Sequence, residues 1–109
     1  MFARHTEEGY LPAVPGIVRK TLVYGEKTLL AEFRLAAGSR LPEHQHPNEQ
    51  SGYLVAGRMR LTIGGTPHEV TPGDSWCIPA GMPHSAEILE DSLAVEVFAP
   101  LREDYLPEQ

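Results

Sequence analysis

Cysteine is almost absent: Cys77 is the only one in 109 residues, which excludes an internal disulfide and leaves packing and hydrogen bonds to hold the fold. Within the apolar run from Ser75 to Pro79 this thiol is expected to be buried and unreactive. Basic runs are also missing. The nine Lys and Arg are scattered, fifteen Asp and Glu bring the formal net charge to −6, and nucleic acid is not expected as a partner. No apolar stretch is long enough to span a bilayer, and MFARHTEEGYLPAV contains no apolar signal-type segment, so a cytoplasmic location without membrane attachment is the expectation. Aromatics amount to only 7%, while ten prolines and ten glycines punctuate the chain too densely for long helices. What remains is 41% hydrophobic residues, enough for one core. The expectation is a single domain over 1–109, with 1–15 as an amino-terminal strap or arm and 99–109 as a tail.

Periodicity points to β structure. Ile17 to Tyr24 and Thr28 to Ala36 are β-rich runs separated by a short turn at Gly25 and Glu26. In the second run Leu29, Ala31, Phe33 and Leu35 fall on one face and Glu32 and Arg34 on the other, as in a half-buried strand. Tyr53 to Val55 and Arg58 to Ile63 follow, split by Ala56-Gly57 and ended by Gly64-Gly65, a pair suited to a tight hairpin. Further short runs at Glu69-Val70, Ser75 to Ile78, Ser85 to Leu89 and Leu93 to Phe98 are bounded by Pro- and Gly-rich turns and by Glu90-Asp91. Short strands at such regular spacing indicate a sandwich or barrel.

Three of the five histidines lie in two Pro-bounded segments, PEHQHPNEQ at 42–50 and PAGMPHSAE at 79–87. In an extended segment side chains at i and i+2 project alike, so His44 and His46 can aim at one point while Gln45 faces away. The same parity carries on to Gln50 and turns Glu49 outward. A carboxylate is the better ligand for a divalent cation, so chemistry favours Glu49 and spacing favours Gln50. His84 follows a rigid PxGxPH turn that can return it opposite the HxH pair. Imidazoles with one oxygen donor suit zinc, nickel, copper, iron or manganese. His5 and His68 have no companion at ligand spacing and are expected on the surface. Trp76, Tyr53 and Phe33 are expected as core or pocket-wall residues.

These segments resemble the two motifs of the cupin superfamily. The first runs through Gly38, His44, His46, Gln50 and Gly57, with Gln50 at the usual glutamate position. The second runs through Gly73, Pro79, Gly81 and His84, with Ile88 at the usual asparagine. The resemblance implies an all-β, single-domain cupin, a double-stranded β-helix or jelly-roll barrel, with one divalent metal ion on His44, His46, Gln50 and His84. It decides between Glu49 and Gln50 in favour of Gln50. An amide carries one less negative charge than a carboxylate, which weakens cation binding.

The run HPNEQSGYLVAGRMRLTIGG and the tail VFAPLREDYL are similar to small bacterial cupins of pectin and alginate catabolism, which linearise 4,5-unsaturated monouronates. That group commonly has histidine at the place of Asn48 and aspartate at the place of Glu96. The likeness implies that the metal holds the uronate, Glu96 acts in proton transfer, Arg102 pairs with the substrate carboxylate and Phe98 lines the pocket. Read from the residues alone, Glu96 stands equally well as an outward or interface residue, and Arg102 as part of a solvated tail. The expected ligand is a small molecule, a carboxylate or sugar acid, and the expected assembly a homodimer. O₂-dependent cleavage at a bound iron, and a non-catalytic module binding a small ligand or metal, remain open beside ring opening.

Overall fold

A computed structural model describes residues 1–107. The expected role of 99–109 as a tail therefore includes two positions, 108 and 109, that lie outside the described residues. The chain is all-β: β1 (Leu11–Val14), β2 (Ile17–Tyr24), β3 (Leu29–Leu35), β4 (Arg40–His44), β5 (Glu49–Ile63), β6 (Thr66–Val70), β7 (Ser75–Ile78) and β8 (His84–Ala99), followed by one 3₁₀ turn at Glu103–Tyr105. The strands pair in the order β1-β2-β3-β8-β5-β6, with β4 added on β8 and β7 on β5. Among the described residues no helix is long and apolar enough to cross a membrane.

The expected strand at 53–55 and that at 58–63 are one strand, β5, and the two expected at 85–89 and 93–98 are one strand, β8. Ala56-Gly57 and Glu90-Asp91 are corners, not ends. Between Leu54 and Met59 the β5–β8 register shifts repeatedly, so that Leu54 and Met59, five positions apart, both point inward. Before the corner β5 pairs with β7; beyond it β5 pairs with β6. The two long strands thus pass through both halves of a jelly roll. Their inner faces meet in one core, where Ile17, Leu29, Phe33 and Leu54 from one half touch Met59, Leu61, Ala86 and Ile88 from the other.

Strand β3 shows the alternation expected of it, Leu29, Ala31, Phe33 and Leu35 all buried. Two short edge strands were not expected. β1 is mostly exposed and too short to show a period, and β4 carries Pro42, which suits an edge strand. The same period of two overturns two burial expectations. On β7 it turns Trp76 and Ile78 inward and Cys77 out, leaving that thiol exposed. On β5 it points Tyr53 to the surface, 50% exposed. Residues before β1 form a strap along the barrel, held by Lys20 Nζ on the Thr6 carbonyl at 3.0 Å and by the Arg34–Glu7 ion pair at 2.9 Å.

Gly57 sits where the corner leaves no room for a side chain. Its φ is +97°, and a Cβ there would lie 2.4 Å from the Asp91 carbonyl oxygen and 2.1 Å from Ser92 Oγ. Ser92 Oγ closes the corner by accepting the Arg58 N–H at 3.1 Å and donating to the Glu90 carbonyl at 2.7 Å. Gly57→Ala is expected to lower stability by about 1–3 kcal/mol, read as a lower urea midpoint with unchanged slope. An unchanged midpoint would mean that the corner accommodates a side chain.

Candidate metal centre

His44 ends β4 and His84 begins β8, and the two are direct cross-strand partners with ring centroids 4.1 Å apart. His46 stands in the loop to β5. Gly81 of the PxGxPH turn donates its N–H to the His46 carbonyl at 2.8 Å, which ties the two histidine segments together. The ligand atoms of all three imidazoles lie within 4.8 Å of one another, so the cluster is placed to bind one ion.

Each imidazole is held in the same tautomer. Nδ1 of His44, His46 and His84 faces the carbonyl of Pro42, Asn48 and Met82 respectively, each at 2.9 Å. A carbonyl only accepts, so each Nδ1 carries the proton and each Nε2 keeps its lone pair, the state in which imidazole binds a metal. His84 Nε2 is buried and has no hydrogen-bond partner among the described residues. Such an orphaned acceptor costs about 1–3 kcal/mol unless something fills its place. Burial and then the charge of Arg102 hold His46 below the usual histidine range. Burial likewise lowers His84, with the neighbouring His44 and His46 adding to it.

Gln50 is buried and Glu49 exposed. The Gln50 Nε2 donates to Glu96 Oε1 at 2.6 Å, which turns Oε1 towards His46 Nε2 at 2.9 Å. Both facing atoms carry lone pairs, and protonation of His46 is disfavoured by its surroundings. A cation shared by the two is the arrangement that removes the repulsion, and about 3 Å is the spacing of adjacent ligands around an ion with bonds near 2.1 Å. The donor set therefore fits a divalent metal.

Glu96 faces inward with Ala94 and Phe98 and is only 8% exposed. Its Oε1 also accepts the Trp76 indole N–H at 3.0 Å. Burial pushes its carboxyl above the usual range, against the opposing pull of the Gln50 and Trp76 hydrogen bonds and of Arg102. Arg102 is not in a solvated tail. Residues 99–107 fold back over the mouth, tied by Asn48 Nδ2 to the Pro100 and Leu101 carbonyls at 2.6 and 3.2 Å. The Arg102 guanidinium forms two bonds to Asp104, at 3.3 and 2.8 Å, and lies 4.0 Å from the Tyr105 ring centroid and 5.2 Å from that of Phe98. Asn48 is thus occupied with the tail.

In the fold His44, His46, Gln50, His84, Glu96, Phe98 and Arg102 lie around one cavity mouth. Three residues were missed. Arg19 lies 3.8 Å from the Tyr105 ring centroid, and two guanidiniums so close to one ring must occupy opposite faces. Arg19 shares its strand face with buried Ile17, a parity visible in the sequence. Tyr105 had no such signal, because its position depends on the tail's return. Trp76 was read as a wall residue, yet it also hydrogen-bonds Glu96. Inside the barrel, His44, Gln50, His84 and Glu96 border only about 60 Å³, room for a few waters. A groove of about 440 Å³ lined by Arg19, His44 and Arg102 opens above it. A larger depression, about 840 Å³, lies between β6 and β7 beside Cys77 and exposed His68, and contains none of the clustered histidines.

A jelly-roll barrel with a histidine cluster at its mouth defines the class of protein. The family described as Cupin domain matches residues 31–99, and the chain belongs to that family. The structure of KdgF from Halomonas sp. superposes with a TM-score of 0.91 at 30% identity, covering 97% of this chain and 98% of that one. An RmlC-like cupin from Shewanella frigidimarina shares the fold, with a TM-score of 0.90 at 23% identity over 96% and 95% of the two chains. The oxalate decarboxylase OxdC of Bacillus subtilis is 30% identical over 77 residues, 66% of this chain; the chain spans only 20% of that enzyme's length. A structure of the same enzyme, studied for its Mn(II) centres, superposes with a TM-score of 0.68 at 28% identity over 77% of this chain and 25% of that chain.

The purified chain is expected to bind one divalent ion, measured by elemental analysis and titration calorimetry, and a His44→Ala, His84→Ala variant to bind none. Protons compete for the same nitrogens. Because His46 and His84 sit below the ordinary 6.5, ion binding should persist below that pH and fail only on further acidification. Equal ion content in the variant would remove the centre.

Proposed function

We propose that this cupin is a metal-dependent enzyme that opens the ring of an unsaturated sugar acid, with His44, His46, Gln50 and His84 as ligands and Glu96 and Arg102 as the reacting and binding residues. The observation that carries the reading is the bridge made by Gln50, whose oxygen faces His46 and whose N–H holds Glu96. A proton-carrying group is thereby coupled to the ion site at hydrogen-bond distances. The likeness of residues 46–65 and 97–106 to the uronate-linearising cupins agrees with it.

Opening a 4,5-unsaturated uronate requires a proton at the enol-ether carbon and water at the neighbouring carbon, after which the ring oxygen leaves. A bound divalent ion would supply Lewis acidity and an anchor for substrate oxygens. Glu96, kept protonated more readily by burial, gives its proton to the enol-ether carbon and recovers one from the incoming water. Arg102 offers its remaining N–H groups to the substrate carboxylate, and its two bonds to Asp104 hold the guanidinium in place near Phe98. The interior is too small for a six-carbon acid, so the ring lies in the groove under Arg19 and Arg102 with only its reacting edge at the histidines. The reading includes a cytoplasmic homodimer, whose test is a doubled mass by light scattering; a monomeric mass at working concentration removes the dimer.

With a 4,5-unsaturated monouronate the metal-loaded protein should discharge the ultraviolet absorbance of the conjugated double bond. Glu96→Gln should lower kcat by about 10²–10⁴ while metal content stays at wild-type level. Arg102→Gln should act mainly on KM, and Arg19→Gln more weakly in the same sense. Wild-type rates in both the Glu96 and the Arg102 variants would end this assignment.

A further inference from the structure

The inner face of the barrel carries an arrangement that this mechanism leaves unused. On the three adjacent strands β7, β5 and β8, Trp76, Gly52 and Glu96 stand side by side, Gly52 being the direct cross-strand partner of both others. A side chain at the middle position would separate the outer two. With glycine there, the indole lies across the strand and its N–H reaches Glu96 Oε1 at 3.0 Å. A Cβ on Gly52 would stand 2.3 Å from the indole Nε1 and 2.2 Å from Cε2. Gly52 is not among the glycines with positive φ, so the backbone itself would accept any residue. Only the indole requires glycine.

We propose that Trp76 is a positioning residue for Glu96, and that Gly52 is the notch through which it acts; the proposal rests on the reading of Glu96 as the proton-transfer group. A wall residue would need only bulk, which leucine or phenylalanine supplies without emptying the neighbouring position. The indole instead brings one donor to one oxygen. Gln50 occupies that same Oε1 from the other side at 2.6 Å, so two N–H groups fix the plane of the carboxyl. Oε2 has no partner among the described residues and is the oxygen left to carry the proton to substrate. Loss of the indole N–H leaves Glu96 hinged on Gln50 alone.

The test is a kinetic cycle on the metal-loaded chain. Trp76→Phe is expected to lower kcat by about tenfold or more, as small misplacements of a reacting group do, with KM within about twofold. In a Glu96→Gln background the same substitution should change nothing further, because no proton transfer is left to misalign. Gly52→Ala should reproduce the kcat loss by pushing the indole aside. A Trp76→Phe variant with wild-type kcat, or one equally slowed in the Glu96→Gln background, overturns the proposal. If the wild type leaves the uronate untouched, the enzymatic reading fails separately, and the contact is judged by emission, Trp76 being the only tryptophan. Emission shifts in Glu96→Ala and Gly52→Ala support the positioning contact; an unchanged spectrum in either overturns it.

Discussion

The bend in the β5–β8 ribbon is the constraint on which the site depends. The two strands pair from Glu49 with Ala99 at one end to Ile63 with His84 at the other. In a straight strand His84 and Phe98 would stand about 46 Å apart at roughly 3.3 Å per residue. In the folded chain both rings lie against His46, with centroids at 5.0 and 5.8 Å. The corner at Gly57 and Ser92 doubles the ribbon over and brings its two ends to one mouth.

Within the mouth, charge is arranged so that each group determines its neighbour's state. Backbone carbonyls hold the Nδ1 protons and leave Nε2 lone pairs converging. A glutamate at position 50, as the cupin motif usually has, would place a second carboxylate against Glu96, and two such groups at hydrogen-bond distance cannot both ionise. The amide of Gln50 presents an oxygen to His46 and an N–H to Glu96 at once. Gln50 and Glu96, two departures from the patterns this chain resembles, are therefore complementary in the fold.

The tail supplies what the barrel lacks. Most of the mouth's positive charge comes from Arg19 and Arg102, held on either side of Tyr105. Asn48 holds the backbone of that tail through its amide. In a chain of net charge −6, two guanidiniums therefore stand together on one ring at the rim.

Much of this was legible from residues alone. The period of two located the core face of β3 and separated Gln50 from Glu49, and the HxH and PxGxPH spacings singled out the three histidines, because strand parity is a local property of the backbone. The all-β class followed from turn residues for the same reason. At Cys77 and Tyr53 apolar character points to burial, but strand parity turns both side chains outward. What no local pattern contains is whether a Gly or an acidic pair ends a strand or bends it, and that choice alone brings His84 to Gln50 and Glu96. The contacts of Asn48, Arg19, Trp76 and Tyr105 likewise join positions far apart in the chain. Local sterics and side-chain periodicity determined the elements and the candidate ligands; only the closing of the barrel, driven by burial of one shared core, decided which of them meet.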